Sequence, residues 1–87
     1  SAFVWFRRLN PSFFLQVFKK AEEKYNNGKI EYIDGLSVEY TDWRFNLRKS
    51  NTEPLLRLNL EAKSETLEKE KTKELVDFIE ENSKWLI

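Results

Sequence analysis

The chain has no cysteine, no histidine and no methionine, and only two glycines and two prolines in 87 residues. Without histidine or cysteine there is no Ser–His relay, no thiolate nucleophile and no Cys/His zinc site. A cysteine-free chain suits a reducing compartment, and a cytoplasmic protein is expected. Excess charge is missing too. Fifteen acidic and fifteen basic residues cancel, so no global field draws the chain to nucleic acid or to an anionic membrane, and neither partner is expected. No apolar run nears the about eighteen residues of a membrane-spanning helix. Ala2–Phe6 is apolar but too short for a signal-peptide core, and no basic leader precedes it. What remains is charge, at 34% of residues, and seven Phe, three Tyr and three Trp. That composition describes one small globular domain with a real core, not a linker.

Asn10-Pro11 reads as a helix start, with Asn capping and Pro in the first turn; Ser12 is the competing cap. Phe14, Val17, Phe18, Ala21 and Tyr25 recur at helical spacing, with Lys19, Lys20, Glu22 and Glu23 on the other side. Asn26-Asn27-Gly28 ends the helix, as residues that tolerate left-handed backbone. Lys29–Ile33 and Leu36–Tyr40 flank Asp34-Gly35, a two-residue hairpin signal; a bend in one long strand is the alternative.

Trp43–Leu47 and Leu55–Ala62 read as strands with clean alternation. Trp43, Phe45 and Leu47 share one face, and Leu56, Leu58, Leu60 and Ala62 share one; Arg44, Asn46, Arg48, Arg57, Asn59 and Glu61 take the other. Ser64 caps a last helix with Glu65 and Glu68 in its first turn and an apolar stripe of Leu67, Leu75, Phe78 and Ile79. The expected architecture is α+β: an antiparallel sheet of three to five strands with both helices on its one apolar face. Residues 10–87 form that single domain. Residues 1–9 show no clear alternation and stay open between a first strand, an interdomain segment and a cloning remnant.

Between the strands lies Arg48-Lys49-Ser50-Asn51-Thr52-Glu53-Pro54. Arg48 offers a planar fork to two phosphate oxygens, and Ser50, Asn51, Thr52 and backbone N–H groups can fill the rest of a tetrahedral anion's shell. Pro54 restrains Glu53 and so the loop exit. The same residues are all turn formers, so on chemistry alone the loop reads equally as an anion site and as an ordinary polar turn.

Its surroundings are specific. Asp34-Gly35-Leu36-Ser37-Val38-Glu39-Tyr40, then Asp42-Trp43-Arg44-Phe45-Asn46-Leu47, then Arg48–Pro54 and Leu55–Ala62, together resemble the C-terminal domain of the α-D-phosphohexomutases, the phosphomannomutase/phosphoglucomutase group. The resemblance runs from Asp34 to the end of the second helix. It implies a fold similar to the TATA-box-binding protein, without importing DNA binding. It implies that Arg48, Ser50, Asn51 and Thr52 clamp the phosphate of a hexose phosphate that is not being transferred, while other domains do the chemistry. Those domains, N-terminal to this one, would carry the catalytic phosphoserine, sugar-recognition loops and a magnesium site. Such an enzyme is an isomerase of carbohydrate metabolism, moving a phosphoryl group between C6 and C1 of mannose or glucose phosphate. This chain shows no Asp-x-Asp-x-Asp cluster and no serine-centred catalytic motif, so no catalytic residue, metal ligand or cofactor is assigned to it.

Two other classes stay open. A stand-alone interaction module would use apolar ends, Phe3–Phe6 and Trp85–Ile87, as a contact patch. A nucleic-acid binder would need exposed aromatics on the sheet; Trp43 and Phe45 alternate with Arg44 and Asn46 and are expected to point into the core.

Overall fold

The computed structural model describes residues 2–8 and 10–82. The chain forms β1 (Ala2–Arg7), α1 (Ser12–Lys24), β2 (Lys29–Glu31), β3 (Leu36–Glu39), β4 (Trp43–Lys49), β5 (Leu55–Ala62) and α2 (Glu65–Glu81). The five strands make one antiparallel sheet in the order β1-β5-β4-β3-β2. α1 carries the chain from one edge strand to the other, so the last strand can enter between β1 and β4.

Alternation decides where the core sits. Phe6, Leu36, Val38, Phe45, Leu47, Leu56, Leu58 and Leu60 are buried on one sheet face, in one cluster with Phe13, Phe14, Val17, Ala21 and Tyr25 around α1 and Leu75 and Ile79 of α2. Both helices therefore cover the apolar face, as expected. Each fully buried Leu or Phe is worth about 1.5–3 kcal/mol, so this cluster is what holds the layers together. Phe13, absent from the α1 stripe read from spacing, belongs to it; the Arg8 guanidinium lies 5.2 Å from its ring.

The helix starts follow their caps. Asn10 Oδ1 accepts the Ser12 N–H at 2.9 Å and Pro11 already has helical φ and ψ, which leaves Ser12 inside the helix. Ser64 Oγ accepts the Leu67 N–H at 3.1 Å, and Glu65 pairs with Lys69 at 3.4 Å, one turn on.

Residues 2–7, left open in the sequence, form a strand, β1, hydrogen-bonded to β5 along its length; Ser1, Leu9 and the Trp85–Ile87 tail lie outside the described residues. Three expectations need correction. Asp34-Gly35 does turn a hairpin rather than bend a strand, but not a two-residue one. Glu31 pairs with Ser37, so the connection is longer and β2 stops at Glu31. Asp34 and Gly35 nonetheless take the positive φ their types suggest, 52° and 98°. Gly28 does not: among the described residues no other φ is positive. A Cβ there would sit 2.5 Å from Val38 Cγ1 and 2.8 Å from Tyr40 Cζ, so close packing against β3 requires the glycine. Lastly, β4 runs through Arg48 and Lys49, so Arg48 stands on a strand and not in the loop.

At the far end of the core from that loop, Tyr25 donates to Glu74 Oε2 at 2.7 Å, and Lys71 donates to the other oxygen at 3.3 Å. Burial, then the bond to Glu74, push the tyrosine's pKa well up. For Glu74 burial alone would raise the pKa, but hydrogen bonds from Tyr25 and Lys71 and the charges of Lys71 and Lys24 outweigh it, and the net shift is down. A depressed folded pKa means the unfolded chain takes up this proton first as pH falls. The stabilisation is complete above the carboxyl's ordinary value of 4.5 and is lost as pH falls through the lower folded pKa. The difference in Tm between the wild type and Glu74→Gln is expected to narrow as pH falls below the carboxyl's ordinary value of 4.5. A difference that stays constant as pH falls would show that ionisation of Glu74 contributes nothing.

Candidate functional site

The sheet face turned away from the helices carries the polar set. Antiparallel partners share a face, so the registers arrange this one in rows. Trp5, Arg57 and Arg48 lie side by side on β1, β5 and β4. Phe3, Asn59, Asn46 and Ser37 form the next row. Glu61, Arg44, Glu39 and Lys29 form a third. That third row is charge-balanced, with Arg44 and Glu61 paired at 3.2 Å.

The first row is not balanced. Arg48 and Arg57 face each other directly across β4 and β5. Like charges in that position destabilise a sheet, and neither guanidinium has an acidic partner among the described residues. A concavity of about 330 Å³ opens on this face; Lys29, Arg44, Arg48 and Arg57 line it together with Glu31, Asp34, Glu39 and Glu61, so its charges balance as a whole and only the Arg48–Arg57 corner lacks an acidic partner. Arg57 Nε and Asn59 Oδ1 are shielded from solvent and have no hydrogen-bond partner. The two facing guanidiniums and the unpartnered Arg57 Nε–H are donors suited to an anion, whereas Asn59 Oδ1 is an acceptor and calls for a donor.

Local structure holds the arginine corner in place. Asn46 Nδ2 donates to Ser37 Oγ at 3.0 Å and approaches the Asp34 and Leu36 carbonyls at 3.3 and 3.4 Å. This ties β4 to the hairpin turn. Gly35 packs so closely there that a Cβ would be 2.2 Å from Leu47 O and 3.1 Å from Arg48 Cα. Lys49 alternates away from Arg48, and its Nζ lies 4.9 Å from the Phe14 ring on the helix side. The loop's cations are thus split between the two sheet faces, leaving Arg48 to the open one.

The loop itself extends the ladder by one bond, Ser50 N–H to Leu55 O at 2.9 Å, and then bends. The Thr52 N–H approaches Ser50 Oγ at 3.4 Å, too long to hold either group against a competing anion. Leu55 N–H closes onto Glu53 O at 2.8 Å, and Arg8 N–H donates to Pro54 O at 3.0 Å, so β1 anchors the loop exit. Asn51 and Thr52 are exposed at the tip. Of the four residues assigned from the sequence, Arg48 lines the concavity; Ser50, Asn51 and Thr52 do not and stand in the loop beyond β4. Arg57, Asn46 and Asn59 join Arg48, and their alternation on the polar face was the signal for them.

The other two functional classes are also clarified. Trp43 is half-buried and Phe45 buried on the helix side, as expected. Val4 packs on the core and Phe6 is buried, so Phe3–Phe6 is not a continuous contact patch. Phe3 and Trp5 are 57% and 55% exposed on the open face.

Fold and site together define a two-layer α+β domain with two arginines facing each other beside a hydroxyl-bearing loop. Residues 11–84 match the family model described as the phosphoglucomutase/phosphomannomutase C-terminal domain. The chain belongs to that family. It is 48% identical over 63 residues to a phosphomannomutase of Methanocaldococcus jannaschii, covering 72% of this chain and 14% of that protein. A phosphomannomutase of Vibrio cholerae is 56% identical over 55 residues, covering 62% of this chain and 12% of its own length. A protein of Xanthomonas campestris described as phosphohexose mutases is 57% identical over 37 residues, covering 42% and 8%. The chain thus spans only a small part of the length of these relatives. Among the described residues no group of three or more His, Cys, Asp or Glu gathers as a metal site would. These residues do not fit a magnesium ion, which the family resemblance assigns to another domain. No described helix is long and apolar enough to cross a membrane.

Proposed function

We propose that this domain clamps the non-transferred phosphate of a hexose phosphate, mannose or glucose phosphate, for a cytoplasmic phosphomannomutase/phosphoglucomutase whose N-terminal domains carry the chemistry. The observation that carries this reading is the unpaired Arg48–Arg57 juxtaposition at the foot of the Ser50–Thr52 loop. Arg48 would take two phosphate oxygens with its fork. The Ser50 hydroxyl, the Asn51 amide and the Thr52 hydroxyl and N–H would close over the others. Such a clamp contributes orientation and binding energy remote from the reacting atoms. Because it recognises phosphate and not one sugar face, it tolerates the reorientation of a bisphosphorylated intermediate between two transfers. The same reading includes a likeness of fold to the TATA-box-binding protein.

The chain alone supplies one wall of a cleft, so its binding is expected to be weak. An open, water-screened charged site contributes little. In a phosphate titration followed by amide chemical shifts, Ser50, Asn51 and Thr52 are expected to move first, in the range of roughly millimolar affinity. A coupled assay with mannose 6-phosphate or glucose 1-phosphate is expected to show no turnover by the 87-residue chain. Shifts confined to the helices would count against the site, and turnover by the purified chain would overturn the division of labour.

A further inference from the structure

The two open edges of the sheet, β1 and β2, are built differently. β2 is three residues long and carries an ion pair, Lys29 to Glu31 at 3.4 Å. Short length and charge are how sheets blunt an edge. β1 has six residues, Ala2–Arg7, with no charge before Arg7. The register locates its free backbone groups. Arg8 N–H donates to Pro54 O at 3.0 Å, one step beyond the Arg7–Leu55 pair. Alternate residues of an antiparallel strand bond to the same neighbour, so Ala2, Val4 and Phe6 bond to β5, and Phe3, Trp5 and Arg7 point N–H and C=O outward. Arg7 O accepts from the Arg8 guanidinium at 2.8 Å and keeps a second lone pair. The outward groups of Phe3 and Trp5 have no partner among the described residues. Both side chains are more than half exposed on the open face. The Arg57 guanidinium carbon lies 6.0 Å from the Phe3 ring and 5.9 Å from the Trp5 ring, which steadies both.

We propose that β1 is a self-association edge, pairing antiparallel with β1 of a second copy across a two-fold axis at Trp5. Nothing in this depends on the phosphate site. A two-fold contact pairs residues reciprocally, and a centre at Trp5 is the register that sets every outward residue of β1 opposite another. Trp5 meets the partner's Trp5, and Phe3 meets the partner's Arg7. Each such pair exchanges two backbone hydrogen bonds. Opposed side chains are neighbours on one face, so indole lies against indole and a guanidinium against a phenyl ring. No like charges are opposed, and a chain of zero net charge sets up no overall repulsion between copies. The exposed parts of Phe3 and Trp5 amount to roughly 200 Å² per copy. With the strand backbone the contact stays below the about 1,200 Å² of a standard interface, so a weak dimer is expected, with a Kd of roughly 0.1 mM.

The test is sedimentation of the 87-residue chain over a concentration series, with amide hydrogen exchange on the same samples. The wild type is expected to pass from monomer to dimer and stop there, with the Phe3, Trp5 and Arg7 amides slowing as the dimer forms. Trp5→Lys sets two lysines against each other and is expected to weaken the dimer by about tenfold or more. Phe3→Lys, opposite the partner's Arg7, is expected to do the same, whereas Phe3→Glu, opposite the same arginine, stays within about threefold of the wild type. These side chains are exposed in the monomer, and a Tm near the wild type's in dilute solution establishes that each variant is folded. A chain still monomeric at about 1 mM, tenfold above the expected Kd, overturns the proposal. So does a dimer indifferent to Trp5→Lys and Phe3→Lys, equal weakening by Phe3→Lys and Phe3→Glu, or growth beyond the dimer. In the mutase that carries this domain, a monomer with those three amides protected would give the edge to another segment of its own chain, and overturns it too.

Discussion

Replacing Arg48 by alanine in the mutase that carries this domain is expected to lower kcat/KM for sugar phosphate by about ten- to a hundredfold, with Tm unchanged or slightly raised. The size follows from the loss of a charge-assisted, forked contact to phosphate. The sign on stability follows from the sheet. Arg48 has no acidic partner among the described residues and faces Arg57 directly, so its removal relieves a repulsion and breaks no ion pair. Arg48→Lys restores charge but not the two-oxygen fork, so it should recover only part of the loss. A scaffold role gives the opposite pattern, normal kinetics with a lowered Tm. Both quantities measured on one variant decide between them, and normal kinetics would remove the site at its centre.

Gly35→Ala is expected to be the most damaging small substitution. It forces a Cβ onto a backbone with φ of 98° and into the Leu47 carbonyl oxygen, 2.2 Å away. Positive φ alone costs roughly 1–3 kcal/mol, and the contact is with backbone, which cannot rotate aside. A total of about 3 kcal/mol is expected, which in a domain of this size lowers Tm by roughly 12–24 °C. The effect reaches the site, because the same Cβ would press on Arg48 Cα at 3.1 Å. The folded fraction of Gly35→Ala should therefore also bind phosphate more weakly than the wild type. Wild-type stability in a thermal scan would show that β3 and β4 can part there at no cost, contrary to the packing described.

Much of this architecture was legible because burial is one-sided. Leu36/Val38, Phe45/Leu47 and Leu56/Leu58/Leu60 are buried on alternate positions, and strict alternation is the signature of a sheet covered on one face. The helix caps, Asn10 and Ser64, were legible for a similar reason, since their chemistry is local. β1 was not. Ala2, Val4 and Phe6 turn inward while Phe3 and Trp5 turn outward, so both faces are apolar and no period shows. The end of β4 was obscured by composition, because Arg48-Lys49-Ser50 looks like loop while the ladder to β5 continues through it.

The amino-acid order by itself determined the α+β class, the apolar and polar faces, the family and the loop that carries Ser50, Asn51 and Thr52, all of which depend on neighbours within a few residues or on one unbroken motif. Only the tertiary structure decided that β1 pairs with β5, that Gly28 is needed for space, and that Arg48 stands against Arg57 with Trp5 beyond it. Those facts rest on the register between strands distant in the chain. That register is set by cooperative packing of the whole apolar face against two helices, a condition no local pattern of residues encodes.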